Sequence, residues 1–148
     1  NDVLGVFGLM GRRGKRIRAK AGLAYFVYSA IKAELYGGYW VVHGGFNPAR
    51  VDEAVSMVIE ELERISKEGV MEEELRNSKG HLLGSFDVML ESPAYLASLL
   101  HFIEFYSLGL DYPERFKSEI ADITLDDVKE VAEKYLRPEG YVEVVVRP

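Results

Sequence analysis

Leu23 to Phe46 reads LAYFVYSAIKAELYGGYWVVHGGF, and this stretch decides the fold. It is dense in aromatic and β-branched residues and is divided by Gly37-Gly38. Read at a period of two, Tyr25, Val27, Ser29, Ile31 and Leu35 share one face. Phe26, Tyr28, Lys32 and Glu34 take the other. A glycine pair supplies the positive φ that a tight hairpin needs. The spacing therefore predicts a strand to Tyr36, a turn at Gly37-Gly38 and a return strand from Tyr39 to Phe46.

Beyond the hairpin the period changes from two to 3.6. Asn47-Pro48 reads as a helix start, with the Asn side chain as cap and Pro in the first turn. Val51, Val55, Val58, Ile59, Leu62 and Ile65 then fall on one helical face, and Gly69 closes the helix. Further helices are expected over Glu72 to Leu90, from Ser92-Pro93 to Leu108, from Pro113, and from the acidic capping box Thr124-Leu125-Asp126-Asp127. Pro138-Glu139-Gly140 turns the chain into an expected last strand, Tyr141 to Arg147, with alternating valines. On the other side of the hairpin, Asp2 to Met10 and Arg12 to Lys20 read as two helical pieces broken around Gly11. Helix, hairpin, several helices and strand spell an α+β fold, an antiparallel sheet with helices on one face, in a single domain over 1–148. Three strands are few for so many helices, so an exposed edge or missing strands are expected.

The 148 residues carry 48% hydrophobic and 28% charged side chains, an ordinary globular balance. With no cysteine, disulfide scaffolds, thiolate metal sites and thiol nucleophiles are excluded. The longest uncharged stretch near the middle, Ser92 to Ile103, is too short to span a bilayer, so no membrane partner is expected. No signal peptide or initiator methionine precedes Asn1, which reads as a processed or excised piece; the cytoplasm is the expected compartment. A net charge of −6 argues against general nucleic-acid affinity. The one basic run, Arg12, Arg13, Lys15, Arg16, Arg18 and Lys20, contains no aromatic to stack a base and reads as a solvated face with one or two functional arginines.

Within that run, Ile17 to Tyr25 places a cation and a phenol seven residues apart across Gly22. A helix ending at Gly22 and a strand starting at Leu23 could aim Arg18 and Tyr25 into one cleft. Arg offers a planar fork of donors and Tyr a hydroxyl, a pair suited to a peptide carbonyl or to the oxyanion formed when it is attacked. Spacing alone equally allows a surface arginine paired with an acid and a core or hairpin tyrosine. His43, His81 and His101 form no H-x-x-E-H motif. The nearest approach, His101-Phe102-Ile103-Glu104-Phe105, has an aromatic in place of the second histidine and reads as a buried polar pair on an apolar helix. Gly14-Lys15 fails as a phosphate loop, because Leu9 and Arg16 occupy the positions of its first glycine and its hydroxyl.

Several segments together resemble a known pattern. Leu4-Gly5, the Gly8 to Arg13 region, Ile17-Arg18, Gly22 to Tyr25 and Val27-Tyr28-Ser29 follow the helix-to-strand segment in the second domain of the pitrilysin-type zinc metallopeptidases. This family includes insulin-degrading enzyme and the mitochondrial processing peptidase. Glu60-Glu61-Leu62, Gly69-Val70 and Glu72 to Leu75 resemble its next helical pair. Asp122-Ile123-Thr124, Asp127-Val128 and Lys134-Tyr135-Leu136 with Pro138 resemble its closing helix and strand. The likeness covers nearly the whole chain and is most specific from Arg18 to Ser29. Gly11, where a serine is common, and Met71, in place of a threonine cap, depart from the pattern.

The resemblance implies the later part of a non-zinc domain that closes over substrate opposite a zinc-bearing one. It implies that Arg18 and Tyr25 bind substrate backbone or stabilise the oxyanion. No cofactor is expected in this chain, zinc being expected in a partner N-terminal domain or subunit. The expected partners are that domain or subunit, a peptide substrate, and a homo- or hetero-oligomer; the isolated chain is expected to be inactive. A non-catalytic partner subunit or structural homologue is the alternative that the resemblance leaves open. The family's domain begins with a strand–helix–strand portion before the Leu4-Gly5 segment, so the sheet is expected to be completed by something beyond these residues.

Overall fold

The computed structural model describes residues 1–5, 24–137 and 139–146. The described chain divides into two units, Asn1–Val70 with Val128–Pro148 and Met71–Asp127. In the first unit a short helix α1 (Asp2–Gly5) precedes the hairpin β1 (Ala24–Glu34) and β2 (Gly37–Phe46), followed by α2 (Val51–Glu68). The second unit holds α3 (Glu72–Leu90), α4 (Pro93–Phe105) and α5 (Tyr112–Asp122). Helix α6 (Leu125–Tyr135) begins at its end and returns the chain to the first.

The hairpin is antiparallel, as its alternation requires, but the turn lies elsewhere than the glycines suggest. Glu34 pairs with Gly37, so Leu35-Tyr36 form the two-residue loop and Gly37 opens β2. Gly37 has a φ of 154°. A Cβ on Gly38 would lie 2.5 Å from the Lys32 carbonyl oxygen. The glycines are thus needed just after the turn, for conformation and for close approach of the facing strand.

One face of the hairpin meets the helices. Ala24 and Val27 of β1 are buried in one cluster with Leu4, with Ala54, Val58, Leu62 and Ile65 of α2, and with Ala132 of α6. The buried stripe of α2 is turned from the expected one toward Ala54 and Glu61. Ile31 and Leu35, read on the same face as the buried Val27 and Ser29, are exposed, because that face is covered only toward the open end of the hairpin. The start of the chain is tied across both strands: Ser29 Oγ and Trp40 Nε1 each donate to Asn1 Oδ1 at 2.8 Å. The second unit has its own core, Phe86, Leu99 and Ile103, with Phe116 against Phe86 at 4.7 Å between ring centroids.

Helix starts follow the sequence closely. Asn47 Oδ1 accepts from the Ala49 N–H at 3.0 Å, and Ser92 Oγ accepts from the Tyr95 N–H at 3.4 Å. Where Met71 replaces a polar cap, Glu74 reaches back to the Met71 N–H at 2.8 Å. Gly69, at φ 74°, ends α2 by donating its N–H to the Ile65 carbonyl at 2.8 Å. Helix α4 stops earlier than the expected Leu108, at Phe105, and Ser107 takes a left-handed φ of 54° before Gly109.

At α6, Thr124 and Asp127 cap each other: Asp127 Oδ2 accepts from the Thr124 N–H at 2.8 Å, and Thr124 Oγ1 accepts from the Asp127 N–H at 3.2 Å. The hydroxyl and N–H donors of Thr124 hold the Asp127 carboxyl below its usual range. A carboxyl lowered in the folded state contributes stability above its unfolded pKa of about 3.9, and that contribution is lost as pH falls through the lower folded value. Asp127→Asn should therefore flatten the acid limb of stability below about pH 4. Urea midpoints at pH 5 and pH 3 check this; an unchanged difference between the two pH values would contradict it.

The expected last strand is not formed. Residues 141–146 take no regular secondary structure and have no ladder partners, and the only sheet among the described residues is the two-stranded hairpin. Alternating valines give the segment strand propensity, but a strand exists only where a neighbour supplies its hydrogen bonds.

Candidate functional site

Tyr25 stands at the single irregularity of the hairpin. Ala24 pairs with Phe46 and Phe26 with Gly45, so β1 spends two residues where β2 spends one, and Tyr25 is the unpaired extra residue. A bulge of this kind interrupts the alternation and re-aims the side chain it carries. Tyr25 has the parity of Val27 and Ser29, both buried, yet is itself 85% exposed. The backbone thus delivers a phenol to solvent at the very start of a well-packed strand. Arg18 lies outside the described residues.

Next to Tyr25 runs an aromatic strip that the sequence reading did not identify as a unit. The Tyr25 and Phe26 rings meet edge to face at 6.5 Å. Phe26 stacks on Tyr28 at 6.1 Å, and Tyr28 on the His43 ring across the ladder at 5.2 Å. Phe26 can lie flat across β2 because its partner is glycine; a Cβ on Gly45 would sit 2.7 Å from the Phe26 ring. On the core side, the Phe46 ring occupies the space a Gly44 side chain would need. The legible signal was therefore the i, i+2 aromatics Phe26 and Tyr28 facing a strand that contains Gly44-Gly45. Each strand of the hairpin also has one edge without a ladder neighbour among the described residues.

Among the described residues, no metal centre assembles from these donors. No group of three or more His, Asp or Glu among the described residues could hold an ion. The remaining positions, 6–23, 138, 147 and 148, contain no His, Cys, Asp or Glu at all. His43 lies in the first unit, His81 and His101 in the second. His101 and Glu104, expected as a buried polar pair, are both exposed: the buried face of α4 is carried by Leu99 and Ile103, and a polar pair on its outer side needs no burial. A cleft of about 340 Å³ between the ends of α2 and α6 is lined by Glu63, Lys67, Glu133 and Arg137 among others, with both charge signs and no convergent donor set. No helix of the described residues is long and apolar enough to cross a membrane.

Comparison with known proteins bears on the same residues. Positions 5–82, which include both Arg18 and Tyr25, match the family described as peptidase M16 inactive domain. An uncharacterized zinc protease of Streptomyces coelicolor is 29% identical over 129 residues, 87% of this chain and 28% of its own length. One from Bacillus subtilis is 32% identical over 92 residues, 62% of this chain and 22% of its own. The chain thus spans less than a third of these curated relatives. Among solved structures, a peptidase M16 inactive domain from Pseudomonas fluorescens superposes with a TM-score of 0.84 at 28% identity, over 93% of this chain and 33% of that one. The inactive peptidase domain of a Bordetella parapertussis protein described as a zinc protease gives a TM-score of 0.76 at 21% identity, over 91% of this chain and 71% of that one, a likeness of fold.

Proposed function

The chain belongs to the peptidase M16 inactive-domain family, and from that premise we propose that it serves a complete zinc protease as the wall that closes over the substrate and grips its backbone. Cleavage itself belongs, in this reading, to another part of the protein. In this reading the Tyr25 hydroxyl donates to a substrate carbonyl oxygen, and Arg18, with a forked and permanently charged donor set, takes the same or the neighbouring oxygen. Donors placed where negative charge develops stabilise the transition state more than the ground state. An extended peptide would add along an open edge of the hairpin, using main-chain groups that the sheet leaves unpaired.

The observation that carries the proposal is the bulge. A tyrosine with core parity is turned to solvent within the segment that matches the family. The test is Arg18→Ala in the full-length protein, with peptide turnover and bound zinc measured together. Turnover should fall by about 100-fold, the scale of losing one oxyanion donor. Zinc content should be unchanged. Arg18→Lys should recover only part of the rate, because a point charge does not replace a planar fork. Unchanged turnover in Arg18→Ala would return this residue to the role of a surface arginine.

A further inference from the structure

The outer pleat of the hairpin carries more aromatic surface than the fold uses. Phe26 and Tyr28 are 44% and 39% exposed, and neither belongs to the cluster buried between the hairpin and α2. Two half-exposed rings beside an exposed Tyr25 form an apolar patch, and such a patch marks a contact surface. Its floor is flat. Phe26 lies over Gly45 and Tyr28 over His43, with 28° between the planes of Phe26 and Tyr28 and again between those of Tyr28 and His43. No charged side chain interrupts this platform. Ala30 and Val41 come next on the same pleat, and Lys32 lies beyond them.

The platform is continuous with the proposed carbonyl grip, because the Tyr25 ring meets Phe26 edge to face. An extended peptide sets side chains of one face about 6.7 Å apart, close to the 6.1 Å between the Phe26 and Tyr28 rings. A peptide running along β1 from the Tyr25 hydroxyl therefore brings one side chain over the platform, about two or three residues from the gripped carbonyl. Resting on the substrate-grip reading, we propose that Phe26 and Tyr28, backed by His43 and Gly45, determine specificity by stacking on an aromatic side chain of the peptide at that distance from the cleaved bond. A planar ring meets a flat π surface across its whole face, whereas a branched aliphatic chain meets it only at its methyls. A contact so far from the reacting carbonyl is made equally in the ground state and the transition state, so it lowers KM and leaves kcat alone.

Internally quenched peptides with an Ala and Ser background test this on the full-length protein, with cleavage sites read by mass spectrometry. One position, about two or three residues to either side of the cleaved bond, carries Phe, Leu, Lys or Ala in turn. On one side Phe should exceed Leu by about 5-fold in kcat/KM, through KM, the scale of an aromatic pair beyond its apolar area. In Tyr28→Leu and in Phe26→Leu that ratio should fall to about 1, and Tyr28→Phe, which retains a ring, should keep it. Taking the ratio within each variant cancels any loss of folded enzyme. Leu equal to Phe in the parent protein overturns the proposal, as the mark of a plain apolar surface. So does a preference for Lys, which would assign the rings to a cation, and so does a Phe preference that survives both Leu variants. Tyr25→Phe should slow all four peptides by the same factor and keep the ratio. No ratio with a slowed Tyr25→Phe thus sinks the aromatic platform alone, whereas a kept ratio with an unimpaired Tyr25→Phe sinks the carbonyl grip alone.

Discussion

Ile65→Ala should destabilise the 148-residue chain by about 2–5 kcal/mol, the range for truncating a buried isoleucine. Ile65 is 2% exposed and sits in the cluster that joins α2, β1 and Ala132 of α6. Its loss removes apolar contacts and leaves a void, and the place for relaxation is small. The Ile65 carbonyl accepts the Gly69 N–H, and Gly69 at φ 74° fixes the end of the helix, so the last turn of α2 cannot simply slide inward. Val55→Ala provides the contrast. Val55 has the same hydrophobic character in the sequence but is only half-buried, and its truncation should cost about 1 kcal/mol. Urea unfolding followed by the fluorescence of Trp40, the single tryptophan, measures both, with m unchanged. Equal costs for the two substitutions would mean that the buried face of α2 is not the one described.

That contrast also shows where sequence reading stops. The existence of α2 and its ends were legible, because Asn47, Pro48 and Gly69 act locally. Its orientation was not. The stripe Ala54, Val58, Glu61 and Ile65 is spaced as a helix requires, but it contains a small residue and an acid, which hydrophobic periodicity passes over. Ala54 is buried because a small side chain suits close approach. Glu61, 1% exposed, is tolerated in the stripe because Arg64 Nη2 donates to it at 2.6 Å. A charge partner three residues away is visible in a sequence only once burial is known. The same division runs through the hairpin. Alternation made both strands legible, whereas the turn shifted to Leu35-Tyr36 because register is set by the whole ladder rather than by its glycines. The last strand failed for the opposite reason: propensity is local, but a ladder needs a neighbour. His101 and Glu104 failed likewise, since an apolar helix still has an outer side. At the site, the resemblance singled out Tyr25, while the bulge that exposes it left no mark in the sequence beyond the glycine opposite Phe26.

Tyr25→Phe in the full-length protein should lower kcat about 100- to 1,000-fold while leaving the fold intact. The substitution removes one hydroxyl and keeps the ring. The edge-to-face contact with Phe26 at 6.5 Å therefore survives, as does the apolar bulk at the bulge. Tyr25 is 85% exposed and its hydroxyl serves no described hydrogen bond of the protein, so thermal stability should change by less than about 0.5 kcal/mol. A rate loss with unaltered stability is the signature of a group held for the substrate rather than for the fold. If the hydroxyl bonds the carbonyl more strongly once charge develops there, kcat and kcat/KM fall together with KM nearly constant. If it only anchors the peptide, KM rises and kcat stays. The bulge adds a second variable. Tyr25→Val favours regular extended pairing, so it should lose the rate as Tyr25→Phe does and also tighten the start of β1, seen as slower amide exchange near Ala24. Turnover of Tyr25→Phe equal to that of the parent protein would leave Tyr25 as an exposed hairpin aromatic, and the bulge as a device of the sheet alone.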